Sequence, residues 1–87
     1  MKFNIDFRDV LGRLLNGEDK AYFIGEKFYS GVALGLHKDG YITCFIRTCE
    51  GVLSCDSAML LTKGMYIQKY AYVSKEEFEK GVHNEKV

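Results

Sequence analysis

The first part of the chain repeats apolar and polar positions with the period of an amphipathic helix. One stripe at helical spacing contains Phe7, Val10, Leu11, Leu14 and Leu15. This pattern predicts a helix from about Asp6 to Leu15, with the Asp6 carboxylate accepting hydrogen bonds from the free amides of the first turn. Asn16-Gly17 follows, where a residue in the left-handed conformation would close the last turn.

The period then shortens to that of β-strands. Runs rich in β-branched and aromatic residues alternate with turns that contain glycine, which is typical of antiparallel strands joined by tight connections. The predicted strands cover residues 21–24, 28–36, 41–48, 52–55 and 65–73, and a single capped helical turn is predicted over residues 56–62. The pattern therefore predicts an antiparallel sheet of four to five strands.

Asp39-Gly40 is the strongest hairpin signal in the chain. Both residues tolerate the positive φ angles that a two-residue type I′ turn requires. Such a loop would set the register of the second and third strands, with Leu34 opposite Phe45 and both faces of the sheet partly apolar.

The last element is marked by a capping box, Ser74-Lys75-Glu76-Glu77, with Val73 and Phe78 at the two staple positions around it. It predicts a short helix to about Lys80, followed by a frayed tail over residues 81–87. The whole chain, residues 1–87, is predicted to be a single α+β domain: an N-terminal helix, the antiparallel sheet and a short C-terminal helix.

Composition and charge narrow the function classes. The 87 residues are 47% apolar and 28% charged, which is typical of a globular domain, and the absence of net charge argues against direct nucleic-acid binding. The longest apolar run, residues 58–61, is far shorter than the roughly 20 residues of a membrane span. Because the first residues also lack the layout of a signal peptide, we expect a cytoplasmic protein with no membrane partner.

The cysteine pattern gives no support to a metal site or a thiol enzyme. Cys44, Cys49 and Cys55 follow a C-x4-C-x5-C spacing without a C-x-x-C pair, so free thiols are expected. His37 stands near enough in the predicted hairpin to approach Cys44, but no third residue is available to orient the pair. Since phosphate-binding and metalloprotease motifs are also absent, we predict a protein that is not an enzyme and has no cofactor and no metal.

Two strand patterns indicate binding surfaces. Gly31, Ala33 and Gly35 alternate on one face of the second strand and leave bare backbone, against which either a ligand or the first helix would pack. The predicted last strand places four residues on one face: Tyr66, Gln68, Tyr70 and Tyr72. That face is either an interface or an ordinary half-exposed surface.

The predicted helices are too small to cover both apolar faces of the sheet. Self-association would bury the remainder, most simply across a two-fold axis, so we expect a homo-oligomer.

The order of elements resembles that of small phage proteins of the Thoeris anti-defence sponge type, which bind and sequester cyclic-nucleotide immune signals. The resemblance rests on Phe7-x3-Leu11-x3-Leu15-x-Gly17 with Lys20-Ala21 following, and on Ser54-x-Asp56 leading into Leu60-Leu61-Thr62-Lys63-Gly64-Met65-Tyr66-Ile67. The family's Arg and Trp after the first helix are replaced by Phe23-Ile24-Gly25, and its Asp-Trp pair near the end appears as Gly64-Met65.

The resemblance implies a non-enzymatic protein of the host cytoplasm that sequesters a small nucleotide-like immune signal at the subunit interfaces of an oligomer. Its candidate ligand-binding residues in this chain are Tyr22, Lys27, Ser54 and Asp56. The alternative is a protein-binding inhibitor or adaptor, which would dock the Tyr-rich sheet face onto a bacterial defence-system protein.

Overall fold

The N-terminal apolar stripe forms the predicted helix. In the computed structural model, which describes residues 2–17, 21–55 and 57–80, helix α1 spans Phe7–Leu15. Gly17 adopts a φ of 96°, and its amide donates to the Leu14 carbonyl oxygen at 3.1 Å, so the left-handed ending is confirmed.

The prediction that the Asp6 side chain caps α1 is wrong. Asp6 occupies the N-cap position, but its carboxylate accepts no hydrogen bond from the first turn and instead pairs with the Lys69 ammonium. The hydrogen bond from Lys69, together with its charge, lowers the pKa of Asp6. An ionic partner from a distant part of the chain has displaced the local cap.

The sheet is antiparallel and has five strands, β1 (Ala21–Gly25), β2 (Val32–Leu36), β3 (Ile42–Thr48), β4 (Gly51–Ser54) and β5 (Tyr70–Ser74). Its spatial order is β4-β3-β2-β1-β5, so the closing strand returns to pair with the first. With helices α2 (Lys63–Ile67) and α3 (Lys75–Lys80), this confirms the predicted α+β fold.

The predicted hairpin register is wrong by one residue. The Leu34 Cα is paired with Cys44, not Phe45, because the loop contains three residues and closes when the Gly40 amide donates to the His37 carbonyl oxygen at 2.8 Å. Within this loop only Gly40 has a positive φ, whereas a type I′ turn requires one at Asp39 as well. The one-residue shift exchanges the faces of β3 relative to β2.

The predicted second strand is too long at its start. The Phe28 amide donates to the Gly25 carbonyl oxygen at 2.9 Å and the Val32 amide to the Tyr29 carbonyl oxygen at 3.2 Å, so two turns precede β2, and Gly31 has a φ of 84° in the second. Gly31 therefore does not belong to a strip of bare strand backbone.

The region between β4 and β5 differs most from the prediction. Residues 57–62 contain no helical turn, and Asp56 lies outside the described residues. Helix α2 begins after Thr62, whose hydroxyl oxygen accepts from the Met65 amide at 3.2 Å. The predicted strand over residues 65–73 is therefore wrong in its first half.

The C-terminal capping box is confirmed. The Glu77 amide donates to Ser74 Oγ at 3.1 Å, and the Ser74 amide donates to the Glu77 carboxylate at 3.4 Å. Both staple residues, Val73 and Phe78, are buried. The predicted frayed tail lies outside the described residues.

The two faces of the sheet carry separate hydrophobic cores. Helix α1 packs over a cluster that includes Phe23, Leu34 and Tyr70, whereas Phe78 of α3 packs over Tyr22 on the other face. None of the helices formed by the described residues is long and apolar enough to span a membrane.

Candidate functional site

An open cleft of about 760 Å³ lies at the hairpin end of the sheet. Three parts of the fold meet there, because the end of β5 pairs with the start of β1 and the β2–β3 hairpin extends beyond the same end of the sheet. The cleft is lined by Leu36, His37, Lys38, Asp39, Gly40, Tyr41, Phe45, Ser54 and Lys75. Its volume lies within the roughly 300–1,000 Å³ of small-molecule sites.

The hairpin loop presents a flat aromatic pair to the cleft. The rings of His37 and Tyr41 stack with centroids 4.5 Å apart and planes 9° apart. His37 Nδ1 accepts a hydrogen bond from the Asp39 amide at 3.0 Å. The stack and this hydrogen bond together fix the loop.

The floor of the cleft is aromatic. Phe45 stacks on Tyr22 with ring centroids 4.9 Å apart, and Phe78 meets the Tyr22 ring edge-on at 4.8 Å. A Cβ atom added to Gly35 would lie 2.8 Å from carbon atoms of both Tyr22 and Phe45. The small residues of β2 therefore make room for the protein's own rings, not for a ligand or for α1.

The charges around the cleft favour an anion. Lys38 is exposed, and the Lys75 ammonium lies 5.8 Å from the centroid of the Tyr22 ring. Neither lysine takes part in the ion pairs formed within residues 2–17, 21–55 and 57–80. Among the described residues that line the cleft, Asp39 is the one carboxylate, so two lysines face a single negative charge there.

The structure brings together some of the ligand-binding residues predicted from sequence. Ser54 lines the cleft, and Tyr22 lies buried beneath its floor, where burial and then the charge of Glu79 raise its pKa. Lys27 follows the far end of β1, where its amide donates to the Gln68 side-chain oxygen at 2.9 Å. Asp56 lies outside the described residues.

The predicted interface residues do not share a face. Tyr66 is exposed on α2 and Tyr72 on β5, whereas Gln68 and Tyr70 are buried. The Tyr70 hydroxyl donates to the Met65 carbonyl oxygen at 2.7 Å, and burial raises the pKa of Tyr70 to about 12. The prediction that Tyr70 points outward is therefore wrong.

Four residues that line the cleft were not assigned to a binding site from the sequence. They are His37, whose ring stacks on Tyr41, and Lys38, Tyr41 and Lys75. A local signal existed, since His37 and Tyr41 flank the hairpin and Lys75 belongs to the capping box. Only the pairing of β5 with β1 brings these segments to the same end of the sheet.

The predicted contact between His37 and Cys44 does not form. The His37 ring stacks on Tyr41, while the Cys44 thiol donates to the Met59 sulfur at 3.0 Å. The described residues contain no group of three or more His, Cys, Asp or Glu side chains suited to a metal ion.

Comparison of the chain with protein-family models, with curated proteins and with solved structures finds no match.

Proposed function

We propose that this protein binds and sequesters a small anionic molecule with a planar ring, such as a nucleotide-like immune signal, in the hairpin-end cleft. The observation that carries the proposal is the grouping of Lys38 and Lys75 with the His37–Tyr41 stack around one open cleft. No catalytic step is part of the proposal.

Each part of the cleft matches a part of such a ligand. A phosphate group takes charge-assisted hydrogen bonds from Lys38 and Lys75. A base or another planar ring lies against the outer face of the His37–Tyr41 stack, where aromatic contact adds about 1–3 kcal/mol. The Ser54 hydroxyl, at the β4 wall, offers a donor and an acceptor to a sugar or a ring substituent.

The charge distribution supports a small ligand over a polymer. The chain carries 12 basic and 12 acidic residues, so its field has no general attraction for a nucleic-acid backbone. In the described part of the cleft lining, two lysines beside one carboxylate provide local attraction for a single phosphate-bearing molecule.

Isothermal titration calorimetry against nucleoside monophosphates, cyclic nucleotides and inorganic phosphate tests the proposal. We expect at least one ring-bearing phosphate to bind, to bind better than phosphate alone and to be recovered unchanged. Lys75→Gln should weaken this binding about tenfold, as expected for the loss of one charge-assisted contact.

Lys27→Gln is the matched control, because Lys27 is an exposed lysine at the other end of the sheet. It should leave the affinity unchanged. Equal losses in the two variants, or no binding of any phosphate compound, would contradict the assignment of the cleft.

A second candidate function is a protein-binding inhibitor or adaptor. It is favoured by exposed apolar side chains between β4 and β5, where Leu60 is 84% and Leu61 67% exposed and Tyr66 and Ile67 are exposed as well. Contiguous exposed apolar surface is typical of protein interfaces, including those of homo-oligomers.

Native mass spectrometry of protein purified from cells separates the two candidates. A retained nucleotide favours the cleft function and a retained larger protein favours the inhibitor, while the mass of the complex gives the subunit number. A Leu60→Ser, Leu61→Ser variant should lose the protein partner or the oligomer and keep the nucleotide.

A further inference from the structure

Three sulfur-containing side chains gather at the open end of the β3–β4 hairpin. Cys44 lies in β3 and Cys55 directly follows β4, so the antiparallel register from Phe45 and Ser54 continues to this pair. The Cys55 amide donates to the Cys44 carbonyl oxygen at 3.1 Å. Met59 completes the group by accepting the hydrogen bond of the Cys44 thiol at 3.0 Å.

We propose that Cys44 and Cys55 are an intramolecular disulfide site, which closes when the protein meets a peroxide. Residues paired in this way across antiparallel strands have Cα atoms about 5.5 Å apart. That separation falls at the usual Cα distance of a disulfide, about 5.5–6 Å. Closing the disulfide requires the Cys44 side chain to rotate away from Met59 and the two Cβ atoms to approach to about 4 Å, a small local adjustment of the paired strands.

Burial, and after it the neighbouring Cys55 thiol, raises the pKa of Cys44. An interaction between the two thiols agrees with their placement on the same face of the hairpin. Because a raised pKa lowers the fraction of reactive thiolate at Cys44, the first step is assigned to Cys55.

The pairing of β3 with β4 excludes Cys49 as the disulfide partner of Cys44 or Cys55. It lies in the β3–β4 turn, beyond the pair formed by Thr48 and Gly51, while the Cys44–Cys55 pair lies at the other end of the strands. Cys49 lies five residue steps along the chain from Cys44, about 17 Å at the rise of an antiparallel strand. A disulfide to Cys49 within one chain would therefore require the β3–β4 hairpin to come apart and at least one of its strands to bend.

The reaction takes one peroxide and two thiols. The Cys55 thiolate attacks a peroxide oxygen, the O–O bond breaks, and the leaving oxygen takes up a proton, which yields a sulfenic acid. The Cys44 sulfur then attacks Cys55 Sγ, the S–O bond breaks, and water leaves with the thiol proton. The two sulfur atoms lose two electrons and the peroxide gains them.

A Cys49→Ser variant isolates the pair, since Cys49 is an exposed turn residue. We expect hydrogen peroxide to abolish alkylation of both remaining thiols under denaturing conditions and to lower the intact mass by two hydrogen atoms. Peptide mapping should find Cys44 joined to Cys55, and dithiothreitol should restore both thiols.

Wild-type protein and a Cys49→Ser, Cys55→Ser variant provide the controls. In the wild type, Cys49 should remain alkylatable while the other two thiols are lost. In the double variant, Cys44 should form no intramolecular link. The proposal is overturned if both Cys44 and Cys55 remain alkylatable after peroxide has oxidised Cys49, or if the link found joins two chains through Cys49.

Discussion

The two faces of the sheet are covered to different extents. Helix α1 has nine residues and lays Phe7, Val10 and Leu14 over one face, so the large residues beneath it are almost fully buried. Helix α3 has six residues and contributes one buried ring, Phe78, to the other. Beyond that ring no helix of the described residues covers the hairpin end, and the candidate cleft lies there.

The difference shows how the packing on the two faces leaves one part of the surface open. The face under α1 is closed by aliphatic and aromatic packing. On the face under α3, stacked rings of Tyr22 and Phe45 fill the space above Gly35, so the floor is stable although the covering helix is short. Polar residues of the hairpin and of the α3 start then form the walls.

Replacing Tyr70 tests the closed face and should have the largest effect. Tyr70 is 0% exposed, contacts the Phe7 and Phe28 rings and donates a hydrogen bond to the Met65 carbonyl oxygen. Tyr70→Ala should lower the free energy of unfolding by about 3–5 kcal/mol, because it creates a cavity in the core. Chemical denaturation followed by circular dichroism measures this loss.

Tyr72→Ala is the matched control, because Tyr72 lies in the same strand and is 45% exposed. We expect a clearly smaller loss of stability, since less of the ring is removed from water. Similar losses in the two variants would mean that the closed face does not depend on buried rings.

Alkaline pH tests the same face through the Tyr70 hydroxyl. Burial raises the pKa of Tyr70 from 10.0 to about 12, so the folded protein retains this proton more tightly than the unfolded chain. The resulting stabilisation is fully present below pH 10 and is lost as the pH rises from 10 to 12. Denaturation at several pH values should show a steeper fall for the wild type than for Tyr70→Phe, and parallel curves would contradict burial of the hydroxyl.

The sequence was sufficient to predict those elements whose structure depends on residues close together along the chain. The stripe of α1 and the capping box at Ser74 and Glu77 are local patterns, and both were correctly predicted. The β2–β3 register was missed because one additional loop residue, stabilised by the turn at Gly40, exchanges the faces of the strands.

Helix α2 was missed for a different reason. Tyr66, Tyr70 and Tyr72 alternate as in a strand, and only tertiary contacts decide otherwise: Thr62 caps the helix and Tyr70 packs beneath α1. The cleft likewise depends on contacts between distant segments, since β5 pairs with β1 and so brings Lys75 to the hairpin end. Local propensity contains no information about such pairings.

Gly35→Ala tests the ring-filled floor of the open face and should have an intermediate effect. The added Cβ atom would lie 2.8 Å from carbon atoms of the Tyr22 and Phe45 rings, closer than packing allows. We expect a loss of about 1–3 kcal/mol from overpacking, measured by thermal or chemical denaturation. Ligand affinity should fall as well, since Phe45 lines the cleft and Tyr22 packs beneath it.

Gly12→Ala is the matched control for this substitution. Gly12 lies in α1, and an added Cβ atom would meet nothing within 4 Å. Alanine should stabilise the exposed helix position by about 0.5–1 kcal/mol. The change in the free energy of unfolding is therefore expected to have opposite signs in the two variants. A stabilising Gly35→Ala would show that the rings do not pack against the backbone of β2.

Ser74→Ala tests the attachment of the short helix and should have the smallest effect. The Ser74 hydroxyl is the acceptor for the Glu77 amide in the first turn of α3, so its removal should cost about 1 kcal/mol of unfolding free energy. Because Lys75 is the first residue of that helix, fraying there should also weaken ligand binding, but less than Lys75→Gln does. Ser74→Asp restores an acceptor and should recover most of both losses. Denaturation and calorimetry on Ser74→Ala, Ser74→Asp and Lys75→Gln test whether the cap orders the open face. If the hydroxyl has no structural role, Ser74→Ala will match the wild type in both measurements.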